Sequence, residues 1–84
     1  MEISVKMYTL STCSHCTAIK IFLDKFAVKY EFTDVDLLSG ERQSAALEEV
    51  RKLNTDCTFP TIIIGDKVII GFKEKDIREA LCLL

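Results

Sequence analysis

The sequence predicts an α/β domain in the order β-α-β-α-β-β-α, with a four-stranded mixed sheet flanked by helices. Three observations predict it. Apolar residues switch between an alternating pattern and a period of about 3.6 several times along the 84 residues. A helix-like stretch separates the first two strand-like runs, as in a parallel crossover, which is right-handed in nearly all folds. Only Gly65-Asp66 separates the last two strand-like runs, as in a hairpin.

Taken in order, Ile3, Val5 and Met7 alternate with polar residues and read as the first strand. From Ser14 the period lengthens. Ala18, Ile19, Phe22, Leu23 and Phe26 fall on one helical face, with Lys20, Asp24 and Lys25 off it. Val28, Tyr30 and Phe32 alternate again, giving a second strand that fades through Asp34 and Asp36. Ser39-Gly40 opens a second helix, with Glu41 in the first turn where the helix dipole favours an acid. Ala46, Leu47, Val50 and Leu53 form its expected buried stripe. Glu48 and Lys52 are spaced to pair, and Asn54 is the expected end. Thr61–Ile64 and Lys67–Ile70 are rich in β-branched residues and form the hairpin. Gly71 breaks the chain, and Ile77, Ala80, Leu81 and Leu84 mark a last helix. Helices on both faces of the sheet bury all these stripes.

Composition narrows the function. About half of the residues are apolar, at 49%, enough for a core. The net charge is -2 with no basic block, which argues against nucleic acid and anionic membranes as partners. No apolar run approaches the roughly 18 residues needed to span a bilayer. The start, MEISVKMYTL, lacks the basic and long apolar regions of a signal peptide, so the expected location is the cytoplasm. Thiols there are kept reduced, which favours catalytic or metal-binding cysteines over permanent staples.

Of the four cysteines, Cys13, Cys16, Cys57 and Cys82, only the first two have diagnostic spacing. Cys13 ends the loop after the first strand, and the helix starts at or within a residue of Ser14. A helix N-terminus offers free N–H groups and partial positive charge, which favours a thiolate, the nucleophile of disulfide exchange. Cys16 lies on the side of Ile19 and Leu23, so it is expected to be buried and to stay a thiol. That asymmetry suits Cys13 as the attacking sulfur and Cys16 as the resolving one. A structural zinc usually needs a second ligand pair. His15 sits between the cysteines, where it cannot easily join them on one tetrahedral metal, and no metal is expected.

The only proline, Pro60 in CTFPTIII, stands at the entrance to the third strand, a position proline tolerates. With a C-x-x-C present, the sharper expectation is a cis Phe59-Pro60 bond facing Cys13. The Phe59 N–H and C=O would then be offered to an extended substrate chain.

Together these residues resemble the glutaredoxin/thioredoxin superfamily. Cys13-Ser14-His15-Cys16 matches its active-site motif, Thr58-Phe59-Pro60 its cis-proline motif, and Gly71-Phe72 the Gly-Gly or Gly-Phe before its last helix. The match covers essentially all of residues 1–84, read as one glutaredoxin-like domain. The resemblance implies a thioredoxin-like fold and a thiol-disulfide oxidoreductase with catalytic Cys13 and Cys16. It implies substrate contacts from His15, Phe59, Pro60, Gly71 and Phe72, and no cofactor beyond a redox-active Cys13–Cys16 disulfide.

Glutaredoxins that use glutathione usually carry Lys or Arg where Leu10 stands, and Gly-Gly plus an acidic cap where Gly71-Phe72-Lys73-Glu74 stands. GFKEKDI is closer to the S-G-F-R-x-D stretch of NrdH-type redoxins. The resemblance therefore implies a monomeric electron carrier that reduces disulfide-containing proteins such as ribonucleotide reductase. Its electrons would come from a thioredoxin-reductase-type or ferredoxin-dependent reductase ahead of glutathione. The competing readings are a glutathione-dependent glutaredoxin, an iron–sulfur protein ligated through Cys13, and a C-x-x-C without turnover.

Other residues have plain readings beside functional ones. A protonated His15 would support a Cys13 thiolate, but an exposed histidine is mostly neutral at pH 7. Cys57 reads as a half-buried loop residue or a third redox thiol, and Cys82 as incidental. Tyr8 and Phe72 border the site or simply pack. Lys73 and Lys75 are solvated charges that could steer an acidic partner.

Overall fold

The computed structural model describes residues 3–83. Its elements follow the predicted order: β1 (Val5–Thr9), α1 (Ser14–Lys25), β2 (Glu31–Asp34), α2 (Gly40–Leu53), β3 (Thr61–Ile64), β4 (Lys67–Ile70) and α3 (Glu74–Ala80). A short 3-10 turn, Val35–Leu37, follows β2. The sheet order is β2-β1-β3-β4. β1 runs parallel to β2 and antiparallel to β3, and β3–β4 is an antiparallel hairpin closed by Gly65-Asp66.

Strand alternation sorts the core onto two faces. Val5 and Met7 of β1, Ile62 and Ile64 of β3 and Ile69 of β4 meet Ile19, Phe22 and Leu23 of α1 and Ile77 of α3. Tyr8 of β1 and Ile63 of β3 face the other way, toward Val35 and toward Ala46, Leu47, Val50 and Leu53 of α2. Helices thus cover both faces. Only Val50 of the expected α2 stripe is fully buried. Ala46, Leu47 and Leu53 are half-buried, because the apolar cluster beneath α2 is small and its flanks meet solvent.

Three sequence expectations need correction. Lys52 pairs with Glu49 at 3.4 Å, one residue beyond the Glu48 partner that its spacing suggested. An i,i+3 neighbour lies on the same helix surface as an i,i+4 one. Val28 and Tyr30 precede β2 instead of belonging to it. The chain leaves α1 through Ala27 at φ 56, and pairing with β1 registers only from Lys6↔Glu31. Val28 and Tyr30 alternate because they pack against the core without ladder pairing. Likewise Ile3 precedes β1 and is exposed. Leu84, expected on the last helix, lies outside the described residues.

One polar link fixes α1 over the sheet. The buried Thr9 hydroxyl donates its one proton to Asp34, with the Thr33 carbonyl 3.2 Å away, and Lys20 of α1 reaches the same Asp34 carboxylate at 3.4 Å. Lys20 also lies 3.8 Å from the centre of the Phe32 ring, so its cation and stem cover that exposed aromatic. No described helix is long and apolar enough to cross a membrane.

Candidate active site

β1 and β3 are antiparallel neighbours with Tyr8 opposite Thr61. The C-terminal end of β1 and the N-terminal end of β3 therefore open at the same edge. The loop carrying Cys13 and the loop carrying Pro60 meet there.

Cys13 is the N-cap of α1, with extended backbone. Its sulfur accepts the Cys16 N–H at 3.3 Å, where a serine or aspartate oxygen usually sits. Its N–H donates to the Leu10 carbonyl at 3.2 Å, closing a turn before the helix. Cys13 is half-buried. The helix N-terminus and this amide are therefore directed at a sulfur that solvent still reaches.

Cys16, almost one turn later, is fully buried, as its spacing from Ile19 and Leu23 requires. Burial, reinforced by a hydrogen bond with Cys13, pushes its thiol from 9.0 up to about 12. Both cysteines are free thiols. A pH consequence follows. The unfolded chain ionises Cys16 near 9.0 and the folded chain only near 12, so unfolding releases a proton in that window. The stability of the reduced protein is expected to hold below about pH 9 and to fall as pH rises toward about 12. Thermal melts of the reduced protein across that range, beside a Cys16→Ala variant that lacks this contribution to the slope, check it.

The opposite wall is the Cys57–Pro60 loop. The Phe59-Pro60 bond is cis, and Pro60 is buried. The Cys13 sulfur lies 4.0 Å from the Phe59 carbonyl oxygen, so the structure brings Cys13 and Phe59 together. Gly71 adjoins them, because its N–H donates to the Pro60 carbonyl at 2.8 Å. At φ 85 Gly71 turns the chain from β4 into α3 in a conformation that few other residues adopt. Phe72 points instead into the core, its edge on the Phe22 ring with centroids 5.7 Å apart. His15 is exposed and its imidazole has no hydrogen-bond partner among the described residues.

Leu10 and Phe59 pack with Cys57 against the Tyr8, Val35 and Val50 cluster. Cys82 is exposed just beyond α3. Lys73 is the N-cap of α3 and makes no side-chain cap. Among the described residues, no three His, Cys, Asp or Glu side chains gather closely enough to hold a metal ion.

Sequence reasoning missed two anchoring carboxamide and carboxylate groups. Asp36 accepts from the Ser11 amide at 2.8 Å and from the Ser11 hydroxyl, tying the Cys13 loop to the turn after β2. The Ser11 hydroxyl, then its amide, hold this carboxyl below the usual value. Asn54, whose sequence signal is only that of a helix end, is buried and binds the Pro60 loop. Partners 25 residues apart leave no local signal for the first. For the second, an Asn followed closely by two threonines was a faint one.

The sequence profile of the Glutaredoxin family matches residues 5–69. The chain belongs to the glutaredoxin family. Among solved structures, this glutaredoxin is similar to methanoredoxin from Methanosarcina acetivorans, with 47% identity and a TM-score of 0.87, covering 93% of this chain and 83% of that one. It is also similar to the glutaredoxin of Archaeoglobus fulgidus, with 33% identity and a TM-score of 0.86, covering 93% and 85%. A curated relative is an uncharacterized glutaredoxin-like 8.6 kDa protein in a rubredoxin operon of Clostridium pasteurianum. It is 27% identical over 77 residues, which cover 92% of this chain and 96% of that protein. The fold is thioredoxin-like, with the Cys13-x-x-Cys16 pair of this glutaredoxin at the edge where both loops meet.

Proposed function

We propose that this glutaredoxin reduces protein disulfides by dithiol exchange, as a cytoplasmic electron carrier. The observation that carries the reading is the unequal pair: a half-exposed Cys13 sulfur capping a helix beside a fully buried Cys16. Cys13, as thiolate, attacks one sulfur of a substrate disulfide. A Cys13–substrate bond forms, the substrate S–S bond breaks, and the first substrate sulfur leaves to take a proton. Cys16 then loses its proton and attacks the Cys13 sulfur. A Cys13–Cys16 disulfide forms, and the second substrate sulfur leaves as a thiol. Two electrons have passed to the substrate, and no cofactor beyond the cysteine pair takes part.

Among the described residues, the Phe59 N–H has no hydrogen-bond partner, so this backbone is open to an incoming extended chain. His15 stands exposed at the entrance, and Pro60 and Gly71 form the floor. Phe72 supports that floor through Phe22 rather than reaching the thiols.

The electron donor is a thioredoxin-reductase-type or ferredoxin-dependent reductase rather than glutathione. Two observations support this. Leu10 is packed into an apolar cluster where glutathione users carry a cation, and Lys73 leaves the start of α3 without an acidic cap. Substrates are disulfide-bonded proteins, ribonucleotide reductase among the candidates, met by a monomer.

The test is to supply the oxidised protein in turn with glutathione and glutathione reductase, with NADPH and thioredoxin reductase, and with reduced ferredoxin and its disulfide reductase. Reduction in either of the last two supports the donor assignment, and reduction by glutathione alone refutes it. For the mechanism, a Cys16→Ser variant is expected to stop at the first step. With a disulfide-bonded polypeptide it should accumulate a mixed disulfide at Cys13, read by intact mass. Continued turnover at the wild-type rate would remove Cys16 from the resolving role.

A further inference from the structure

Behind Phe59 lies a closed polar knot in which Asn54 and Thr61, outside both the cysteine pair and the family motif, meet Thr58. Asn54 is 3% exposed and Thr61 0%. The two protons of Asn54 Nδ2 are shared among three acceptors, the Thr58 hydroxyl at 2.8 Å and, each at 3.2 Å, the Thr58 carbonyl and the Thr61 hydroxyl. Asn54 Oδ1 accepts the Asp56 N–H at 3.1 Å. The Thr61 hydroxyl passes its own proton to the same Thr58 carbonyl at 2.8 Å. Two buried donors thus converge on one backbone oxygen, and they hold it pointing inward.

That convergence has a geometric consequence. The Thr58–Phe59 peptide is trans and planar, so its C=O and N–H point in opposite directions. Drawing the Thr58 carbonyl inward turns the Phe59 N–H outward, and there it has no partner among the described residues. The next carbonyl, that of Phe59, is the one 4.0 Å from the Cys13 sulfur. The knot therefore sets the direction of an unsatisfied donor at the mouth of the site.

We propose that Asn54 and Thr61 are positioning residues that aim the Phe59 N–H at the backbone of a polypeptide substrate, and so set a preference for polypeptide disulfides over small ones. The inference rests on the disulfide-reductase reading. It adds that selectivity comes from one oriented amide, controlled by two side chains that touch neither thiol. A small disulfide without a peptide carbonyl cannot use that donor.

The first test compares reduced wild-type protein with Thr61→Val and Asn54→Ser. Second-order rate constants are measured against insulin and against bis(2-hydroxyethyl) disulfide, which has no amide. Iodoacetamide alkylation of Cys13 is the control for the nucleophile. Both variants are expected to lose about tenfold on insulin, the equivalent of about 1.4 kcal/mol and within the range for one backbone hydrogen bond. Rates with the small disulfide and with iodoacetamide stay within about twofold of wild type, and Thr61→Ser, which restores the hydroxyl, recovers the insulin rate. Unchanged insulin rates, or parallel losses on both disulfides, overturn the proposal.

A second measurement needs no disturbed knot. In wild-type protein the Phe59 amide proton, which has no partner among the described residues, is expected to exchange readily with water. In the mixed disulfide of Cys16→Ser with a cysteine peptide it is expected to become protected. Equal exchange in the free and trapped forms overturns the proposal while leaving the reductase reading intact. Wild-type protein inert toward both disulfides sinks both.

Discussion

Replacing Cys13 with serine is expected to abolish disulfide reduction, with a loss on the order of a thousandfold or more. The position is singular in geometry as well as chemistry. The Cys13 sulfur receives the Cys16 amide and stands beside Phe59 at the open edge, whereas Cys16 is sealed in the core. A serine oxygen caps the helix well, so the variant should fold and melt close to wild type. What it lacks is a sulfur able to exchange with another sulfur. Insulin reduction driven by dithiothreitol measures the loss, with Cys82→Ser as a control because that thiol is exposed beyond α3. A Cys13→Ser protein that still accelerates insulin reduction would transfer the chemistry to another residue.

Leu23→Ala is expected to carry the largest stability cost, about 2–5 kcal/mol. Leu23 is fully buried in the cluster that joins α1 to β1, β3 and α3. Its removal leaves a cavity in the cluster that also holds Met7, Ile62 and Ile77, side chains that are themselves inaccessible to solvent. Against a total of roughly 5–15 kcal/mol for a small domain, this is a large fraction. The melting temperature should drop by about 10 °C or more, given roughly 4–8 °C per kcal/mol at this size. Ile21→Ala, two residues away but 63% exposed, should change stability by no more than about 0.5 kcal/mol. Urea titration of the reduced proteins tests both. Equal effects at the two positions would mean that the α1 face has been misassigned.

The contrast between Leu23 and Ile21 also shows what the sequence made legible. The 3.6 period of α1 puts Cys16, Ile19, Phe22 and Leu23 on one side of the helix, and all four are buried. The Gly65-Asp66 turn and the switch of period fixed the hairpin and the parallel crossover in the same way. Where the reading failed, short-range pattern was outweighed by geometry. Val28 and Tyr30 alternate like strand residues but only pack, because the chain approaches β1 later. Lys52 chose between two acidic neighbours that spacing alone does not rank. The Cys13 and Pro60 positions were legible because each has a local signature. Ser11–Asp36 and the Asn54 knot were not, since hydrogen-bond partners of this kind are assigned by tertiary approach. The corner where both loops meet follows from strand order, which local patterns leave open.

The hairpin turn has a practical consequence of its own. Gly65 and Asp66 lie at the far end of β3 from Pro60, where the Gly65 N–H is tied to the Ser4 carbonyl at 2.8 Å. An extended strand advances about 3.4 Å per residue, so that turn stands more than about 10 Å from the reactive corner. A fluorophore, an affinity handle or an electrode linker grafted there would project from the opposite pole of the molecule and leave electron exchange unobstructed.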